Sequence, residues 1–213
     1  MGIAERLKAL QKSLTNEVVL VAVSKTKTNA DILQTYNSGQ RIFGENKVQE
    51  LVQKQEELPK DIQWHMIGHL QSNKVKYIAP FVSLIHGADS LKLLREINKR
   101  AAQNKRIIDC LLQVHIATES TKFGFDINEV EQAINNAKEF QNIKIVGLMG
   151  MATFTDNKQQ VIQEFKNLKT VFDNIKNDKI TTLSMGMSGD YQLAIEQGST
   201  MVRVGSAIFG HRN

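Results

Sequence analysis

The feature that most constrains this sequence is a repeated alternation of short apolar runs with amphipathic stretches. Eight runs rich in Val, Ile, Leu and Met divide the 213 residues, which leaves about 27 residues per unit, the length of a strand followed by a helix. Strands that alternate with helices predict a parallel sheet covered by helices, and therefore an α/β fold. The runs span residues 18–25, 41–46, 62–68, 82–89, 107–116, 143–152, 181–188 and 201–210.

Eight such units most simply close into a single (β/α)₈ barrel of the TIM type, which we expect to form one domain over residues 1–213. The main alternative is a doubly wound open sheet, but no glycine fingerprint follows the first run, VVLVAVSK. The chain ends three residues after the last run, which leaves little room for an eighth outer helix. The N-terminal segment, about residues 3–14, has helical patterning, and we expect it to fill that position on the barrel wall.

Composition and charge narrow the classes of function. The formal net charge of +5 and the pI of about 9.2 favour an anionic partner. Lysines and acids are interspersed without a basic block, so we expect a phosphorylated small molecule and not nucleic acid. No run approaches the roughly 20 apolar residues of a membrane span, and the N-terminal segment is not patterned as a signal peptide. With Cys110 as the single cysteine, no internal disulfide can form, and we predict a cytoplasmic protein.

The Gly- and Ser-rich ends of the last two runs, SMGMSGD and RVGSAIFG, predict an anion site. In barrels of this type the active face lies at the carboxyl ends of the strands, and phosphate often binds after strands 7 and 8. Small residues let backbone N–H groups approach an anion, and serine hydroxyls add further donors. The alternative is that these are ordinary turn glycines and that Ser188 caps the following helix, GDYQLAIEQ.

Two cationic side chains are candidates for the same site. Lys25 ends the first run, and the alternation of a strand places it on one face with Val21 and Val23. Its amine is a candidate for a Schiff base, the alternative being a lysine that extends from a strand end into solvent. Arg203 precedes Gly205 by two residues, so both point to the same side. A buried arginine needs a partner, either a carboxylate or the ring nitrogen or phosphate of a ligand.

Other polar residues near strand ends are weaker candidates. His65 and His69 are four residues apart, but a strand-to-loop segment does not give the helical geometry of a metal pair. We therefore predict no metal site and expect both histidines to have roles in the loops of the barrel mouth. Asn46 and Met149 also fall at strand ends, which makes them candidates to contact a ring bound there.

Six segments together resemble the pyridoxal phosphate homeostasis protein family, small barrels that bind pyridoxal 5′-phosphate (PLP) and are related to the N-terminal domain of alanine racemase. The segments are VAVSKTK, FGENKVQE, WHMIGHLQSNK, LMGMA, SMGMSGDYQLAI and GSTMVRVGSAIFG, in order along nearly the whole chain. The resemblance implies that Lys25 carries PLP as a Schiff base and that Arg203 faces the pyridine nitrogen. The remaining residues that it implies are Ser184, Ser188, Gly205 and Ser206 around the phosphate, with Asn46 and Met149 near the ring.

Two positions depart from the family pattern. His115 stands where family members tend to have asparagine, and Gly87 stands where they tend to have serine. Both lie outside the segments that contain the lysine, the arginine and the expected phosphate site. They therefore concern only the outer lining of the barrel mouth.

The residues and the resemblance favour a carrier of PLP, acting in intracellular PLP homeostasis and amino-acid balance, over an enzyme. A PLP racemase needs an electron sink and two bases. In alanine racemases the second base is a tyrosine from an additional domain of the partner chain, a domain that we expect this chain to lack, and we therefore expect a monomer. Tyr36, Tyr77 and Tyr191 lie in predicted helices or helix starts, and an arginine beside the pyridine nitrogen weakens the electron sink.

Three functions remain open at this point. The leading one is a PLP-binding homeostasis protein whose partners are PLP and PLP-dependent apo-enzymes, without nucleic acid or membrane. The second is a PLP-dependent amino-acid racemase, or another PLP enzyme of the alanine racemase-like class. The third is a barrel that binds a phosphorylated ligand other than PLP.

Overall fold

In a computed structural model of the protein, each predicted run contains one strand, and the strands close into a barrel in chain order. The structure describes residues 1–15, 17–119 and 123–210, so residues 16, 120–122 and 211–213 of the predicted domain lie outside the described part. Every neighbouring pair is parallel, including β8 with β1, so the open-sheet alternative is wrong. The strands are β1 (Val19–Val23), β2 (Ile42–Glu45), β3 (Gln63–Met66), β4 (Leu84–Ala88), β5 (Ile108–Gln113), β6 (Ile143–Met149), β7 (Thr182–Met187) and β8 (Met201–Val204).

Helices cover the outside of the barrel. They are α1 (Ile3–Ser13), α2 (Asn29–Asn37), α3 (Val48–Glu57), α4 (Val75–Ile78), α5 (Leu91–Gln103), α6 (Val130–Ala137), α7 (Lys158–Ile175), α8 (Tyr191–Glu196) and α9 (Ser206–Phe209), with 3₁₀ turns at Ser72–Lys74 and Ile127–Glu129. Within the described ranges, no helix combines the length and the apolar character needed to cross a bilayer.

The N-terminal helix α1 occupies the position predicted for it. It packs against α9, the single helical turn after β8, and against α2. Leu7 and Leu10 of α1 are buried in the outer core, and Arg6 Nε donates to the carbonyl of Ile208 at 2.7 Å. Since α9 has only four residues, α1 supplies most of the cover on this part of the wall.

The alternation of side chains along the strands separates two apolar cores. In β1, Leu20 and Ala22 face the surrounding helices, whereas Val21 belongs to a smaller cluster built from strand residues alone. The buried members of that inner cluster are Val21, Leu84, Leu111, Met149 and Met201. Because the period of a strand is two, Val23 and Lys25 follow Val21 on the inward face, toward the barrel mouth.

Candidate functional site

A cavity of about 590 Å³ opens at the carboxyl ends of the strands. This volume lies within the range of sites that bind small organic molecules. Apolar side chains such as Val23, Ile67 and Met151 form part of its wall. The predicted site residues that line it are Lys25, Asn46, Ser188, Arg203, Gly205 and Ser206. They follow or belong to β1, β2, β7 and β8, which are neighbours in the closed barrel because β8 pairs directly with β1.

Lys25 follows β1 in a short, strained turn. The next residue, Thr26, has a φ of +64°, which is rare for a β-branched side chain. Its backbone N–H donates to Glu50 Oε1 on α3 at 2.5 Å, and the N–H of Lys27 donates to the Ser24 carbonyl at 3.0 Å. Such strain persists where surrounding contacts fix the conformation, and these two hydrogen bonds hold Lys25 at the cavity.

A buried ion pair lies beneath that turn. The Lys54 ammonium of α3 contacts Glu45 Oε1 at 2.8 Å and Glu50 Oε1 at 2.7 Å, and donates to the Ser24 carbonyl at 2.8 Å. The Ser24 hydroxyl donates to the same Glu45 oxygen at 2.6 Å. Burial raises the pKa of Glu45, while the Lys54 charge opposes that rise. We call Ser24, Glu45, Glu50 and Lys54 the Lys54 cluster; it ties the Lys25 turn to β2 and α3.

Arg203 reaches the cavity from β8 and is only 4% exposed. Its Nη1 donates to Ser184 Oγ at 2.6 Å and to the Ser184 carbonyl at 2.9 Å, and Nη2 donates to the Gly150 carbonyl at 3.0 Å. These partners are neutral oxygens and not the carboxylate that one of the sequence alternatives required. Burial lowers the pKa of Arg203 to about 10, against the opposing effect of the Asp190 charge, so the guanidinium remains a cation at neutral pH.

The predicted phosphate side of the site joins the loops after β7 and β8. Ser188 Oγ accepts a hydrogen bond from the Gly205 N–H at 3.0 Å, which links the two loops. The interpretation of Ser188 as a helix N-cap is wrong: the N-cap of α8 is Asp190, whose Oδ1 accepts from the Met187 N–H at 2.6 Å. The helix starts two residues later than expected, and this leaves the Ser188 hydroxyl at the cavity wall.

Ser184 and Met149 lie deeper than predicted and do not line the cavity. Ser184 is fully buried beneath Arg203, and Met149 belongs to the inner apolar cluster. Met151, two residues after Met149 and nearer the mouth, lines the cavity instead. Sequence reasoning missed it, together with Ile67 and Lys27, although continuing the alternation by one further step would have indicated Met151.

The backbone of Asn46, after β2, lies close against the backbone of Gly68, after β3. A Cβ added to Gly68, in the loop after β3, would lie 2.8 Å from Asn46 Cα and still closer to the Asn46 carbonyl oxygen. Glycine is therefore required where the loop after β3 passes the loop after β2.

We expect Gly68→Ala to lower the free energy of unfolding by about 1 to 3 kcal/mol, because backbone atoms must move to admit the methyl group. Gly189→Ala is the matched control, since a Cβ there meets no atom within 4 Å. Urea unfolding of the two variants measures the difference. Equal midpoints for both variants would contradict the close approach.

The two candidate histidines have different surroundings. His69 is exposed, contacts Asp89 Oδ2 at 3.1 Å and stacks on Phe123 with ring centroids 4.0 Å apart. The expectation that His65 acts in the mouth is wrong, because it lies inside the barrel with Nδ1 3.0 Å from His86 Nε2. Among the residues that the structure describes, no group of three or more His, Cys, Asp or Glu side chains could hold a metal ion.

The two departures from the family pattern lie in β4 and just after β5. His115 is half-buried, and its Nε2 is 2.9 Å from the Glu119 carbonyl. Gly87 is buried in β4, where an added Cβ would lie 2.9 Å from the Gly68 carbonyl oxygen. Neither residue lines the main cavity.

Comparison with known proteins identifies the family of this chain. Residues 2–213 match the model of the alanine racemase N-terminal domain. A pyridoxal phosphate homeostasis protein of Aquifex aeolicus is 40% identical over 197 residues, which cover 91% of this chain and 86% of the relative. The chain belongs to the pyridoxal phosphate homeostasis protein family. The predicted family and the predicted barrel are both confirmed.

Solved structures agree with this assignment. PipY of Synechococcus elongatus, solved with PLP bound, superposes with a TM-score of 0.89 at 35% identity and covers 98% of this chain and 100% of PipY. An alanine racemase of Clostridium difficile superposes with a TM-score of 0.83 over 99% of this chain and 56% of the racemase. At 15% identity, the racemase shows only that the barrel fold is shared.

Proposed function

We propose that this protein binds PLP as a Schiff base on Lys25 and serves intracellular PLP homeostasis by holding and delivering the cofactor. One observation carries the proposal: Lys25 and Arg203 line the same cavity at the barrel mouth. Ser188, after β7, and Ser206, after β8, line it as well. The PLP-bound structure of a 35% identical family member supports it.

The residues of the cavity fit PLP chemically. Bound PLP supplies an aldehyde that condenses with a primary amine, an aromatic pyridine ring and a phosphate dianion. Lys25 would hold the aldehyde carbon, and the hydroxyls of Ser188 and Ser206 with the backbone near Gly205 would hold the phosphate. Asn46 and Met151 would lie beside the ring. For Ser184 and Met149 we propose a supporting role, because both lie beneath the cavity wall.

The surroundings of Arg203 favour a carrier over a racemase. A permanent cation beside the pyridine nitrogen disfavours protonation of that nitrogen, and an unprotonated ring stabilises a carbanion less well. A racemase also needs a second base opposite the lysine. Tyr36 and Tyr77 lie within the outer helices α2 and α4, and Tyr191 begins α8 on the same outer layer. We therefore propose that catalytic turnover is not the main function.

Absorption spectroscopy of the purified protein tests the binding proposal. We expect PLP to produce a visible-range band, and borohydride reduction followed by peptide mapping to place the adduct on Lys25. A spectrum that equals the sum of protein and free PLP would reject the proposal and favour a barrel for another phosphorylated ligand.

Delivery and catalysis require separate measurements. We expect the PLP-loaded protein to activate a PLP-dependent apo-enzyme faster than the same concentration of free PLP. Racemisation of amino acids that depends on Lys25 and greatly exceeds that of free PLP would instead favour the enzyme.

The cytoplasmic location and the monomeric state remain predictions. Sedimentation analysis tests the monomeric state.

A further inference from the structure

A row of four buried side chains crosses the barrel interior beneath the cavity. His65 of β3, His86 of β4, Ser184 of β7 and Arg203 of β8 are each at most 4% exposed. His65 Nδ1 lies 3.0 Å from His86 Nε2, His86 Nδ1 lies 3.2 Å from Ser184 Oγ, and Arg203 Nη1 lies 2.6 Å from that hydroxyl. We call this row the histidine chain; it connects opposite walls of the barrel.

The direction of every hydrogen bond in the histidine chain follows from its arginine. A guanidinium can only donate, so Ser184 Oγ accepts from Arg203. The Ser184 hydroxyl hydrogen then has His86 Nδ1 as its acceptor, which leaves the proton of His86 on Nε2. That Nε2–H donates to His65 Nδ1, so His65 also carries its proton on Nε2. The opposite direction would leave the buried Ser184 hydroxyl hydrogen without an acceptor among its described contacts.

Both imidazoles must be neutral for this arrangement. A protonated His86 would point a donor at the Ser184 hydroxyl and a donor at His65. Burial lowers the pKa of His65 to about 3, and burial, with the neighbouring His65 ring and the Arg203 charge, lowers the pKa of His86 well below its usual value. The histidine chain therefore adds no second positive charge beside the guanidinium.

The contacts of Arg203 show how the histidine chain affects the cavity. A guanidinium has five N–H donors. Ser184 takes both Nη1 hydrogens, through its hydroxyl and its carbonyl, and the Gly150 carbonyl takes one from Nη2. Among the described residues, these are the acceptors of the Arg203 side chain, so the Nε–H and the second Nη2–H remain for a ligand in the cavity that Arg203 lines.

We propose that His86, supported by His65, is a positioning residue that holds Arg203 through Ser184 with its two remaining donors directed at the ligand before any ligand binds. The identity of that ligand as PLP rests on the proposed function, but the preorganisation does not. Every contact of the histidine chain joins two residues of the barrel, so none of these contacts requires a ligand. Preorganised donors lose little entropy when the ligand binds.

Nitrogen-15 NMR of the ligand-free protein tests the chain without PLP. We expect both His65 and His86 to be neutral with the proton on Nε2 at about pH 7, and the Arg203 guanidinium protons to exchange slowly with solvent. A proton on Nδ1 of His86, a charged imidazole, or rapid averaging of the Arg203 N–H signals would overturn the proposal. This result stands whether or not PLP binds.

Three variants extend the test to binding. In His86→Leu, which removes the acceptor at similar volume, we expect faster Arg203 exchange in the ligand-free protein and PLP release faster by about tenfold, with a shifted visible band. Ser184→Ala breaks the same link with both histidines retained and should give the same changes if His86→Leu fails to fold. His86→Asn, whose side-chain oxygen can replace Nδ1 as the acceptor, should restore part of the effect.

The control for these variants is His69→Leu, since His69 lies near the mouth but outside the chain. We expect it to leave Arg203 exchange and the PLP band unchanged. Wild-type Arg203 exchange in both Ser184→Ala and a folded His86→Leu would overturn the positioning role.

Discussion

Replacement of Lys25 by alanine is expected to remove the visible PLP band entirely and to abolish the borohydride-stable adduct. The side chain is the inward-facing amine at the end of β1 in the cavity that also contains Arg203, Ser188 and Ser206. Without that amine, only reversible contacts to the phosphate and ring remain, so gel filtration should separate PLP from the protein. Absorption spectra before and after gel filtration measure the loss.

The controls for this prediction separate Lys25 from other lysines. Lys47→Ala removes an exposed lysine just after Asn46, outside the cavity lining, and should keep the full band. In Lys27→Ala, which removes the second amine of the cavity, mass spectrometry should still find the reduced adduct on Lys25. An adduct that survives in Lys25→Ala would contradict the assignment of the Schiff base.

Lys54→Met is expected to destabilise the protein by about 3 to 5 kcal/mol, because it leaves a buried carboxylate without its counter-charge. Glu45 is fully buried, and Lys54 is 5% exposed. For a chain of this length, the loss corresponds to a fall of roughly 6 to 20 °C in Tm. Thermal unfolding followed by circular dichroism measures it.

The pH dependence of the stability lost in Lys54→Met is expected to identify the Glu45 carboxylate as the cause of the loss. Burial already raises the pKa of Glu45, and removal of the Lys54 charge raises it further. The folded state then binds a proton that the unfolded state releases, so stability increases as the pH falls through the raised pKa. The deficit of Lys54→Met should therefore be greatest near about pH 8 and shrink toward about pH 5.

Two further variants complete this test. Adding Glu45→Gln to Lys54→Met removes the stranded charge while keeping an acceptor for Ser24, and should recover part of the stability. Lys169→Met disrupts an exposed ion pair with Asp173 on α7 and should cost no more than about 1 kcal/mol. A Lys54→Met deficit as small as that of Lys169→Met would show that the buried pair contributes little.

The sequence predicted most of the fold because its signals are local. A strand repeats every two residues and a helix about every 3.6, so the alternation of runs indicates eight βα units without any long-range information. The same periodicity placed Lys25 on the inward face beyond Val21 and Val23, as the structure has it. It could not fix depth along the barrel axis, so Met149 was predicted at a level that Met151 occupies.

The side-chain contacts that support the site depend on how the strands and helices meet in the folded barrel. The Lys54 cluster joins side chains from the end of β1, from β2 and from α3, and the histidine chain joins β3, β4, β7 and β8. These contacts depend on strand stagger and on which inward-facing residues meet across the interior. The local periodicity of the sequence determines neither. The sequence by itself thus determined the repeat, the family and the lysine at the mouth. Only the tertiary structure decided what holds that lysine and Arg203 in place, because those partners are distant in the chain and meet only in the folded barrel.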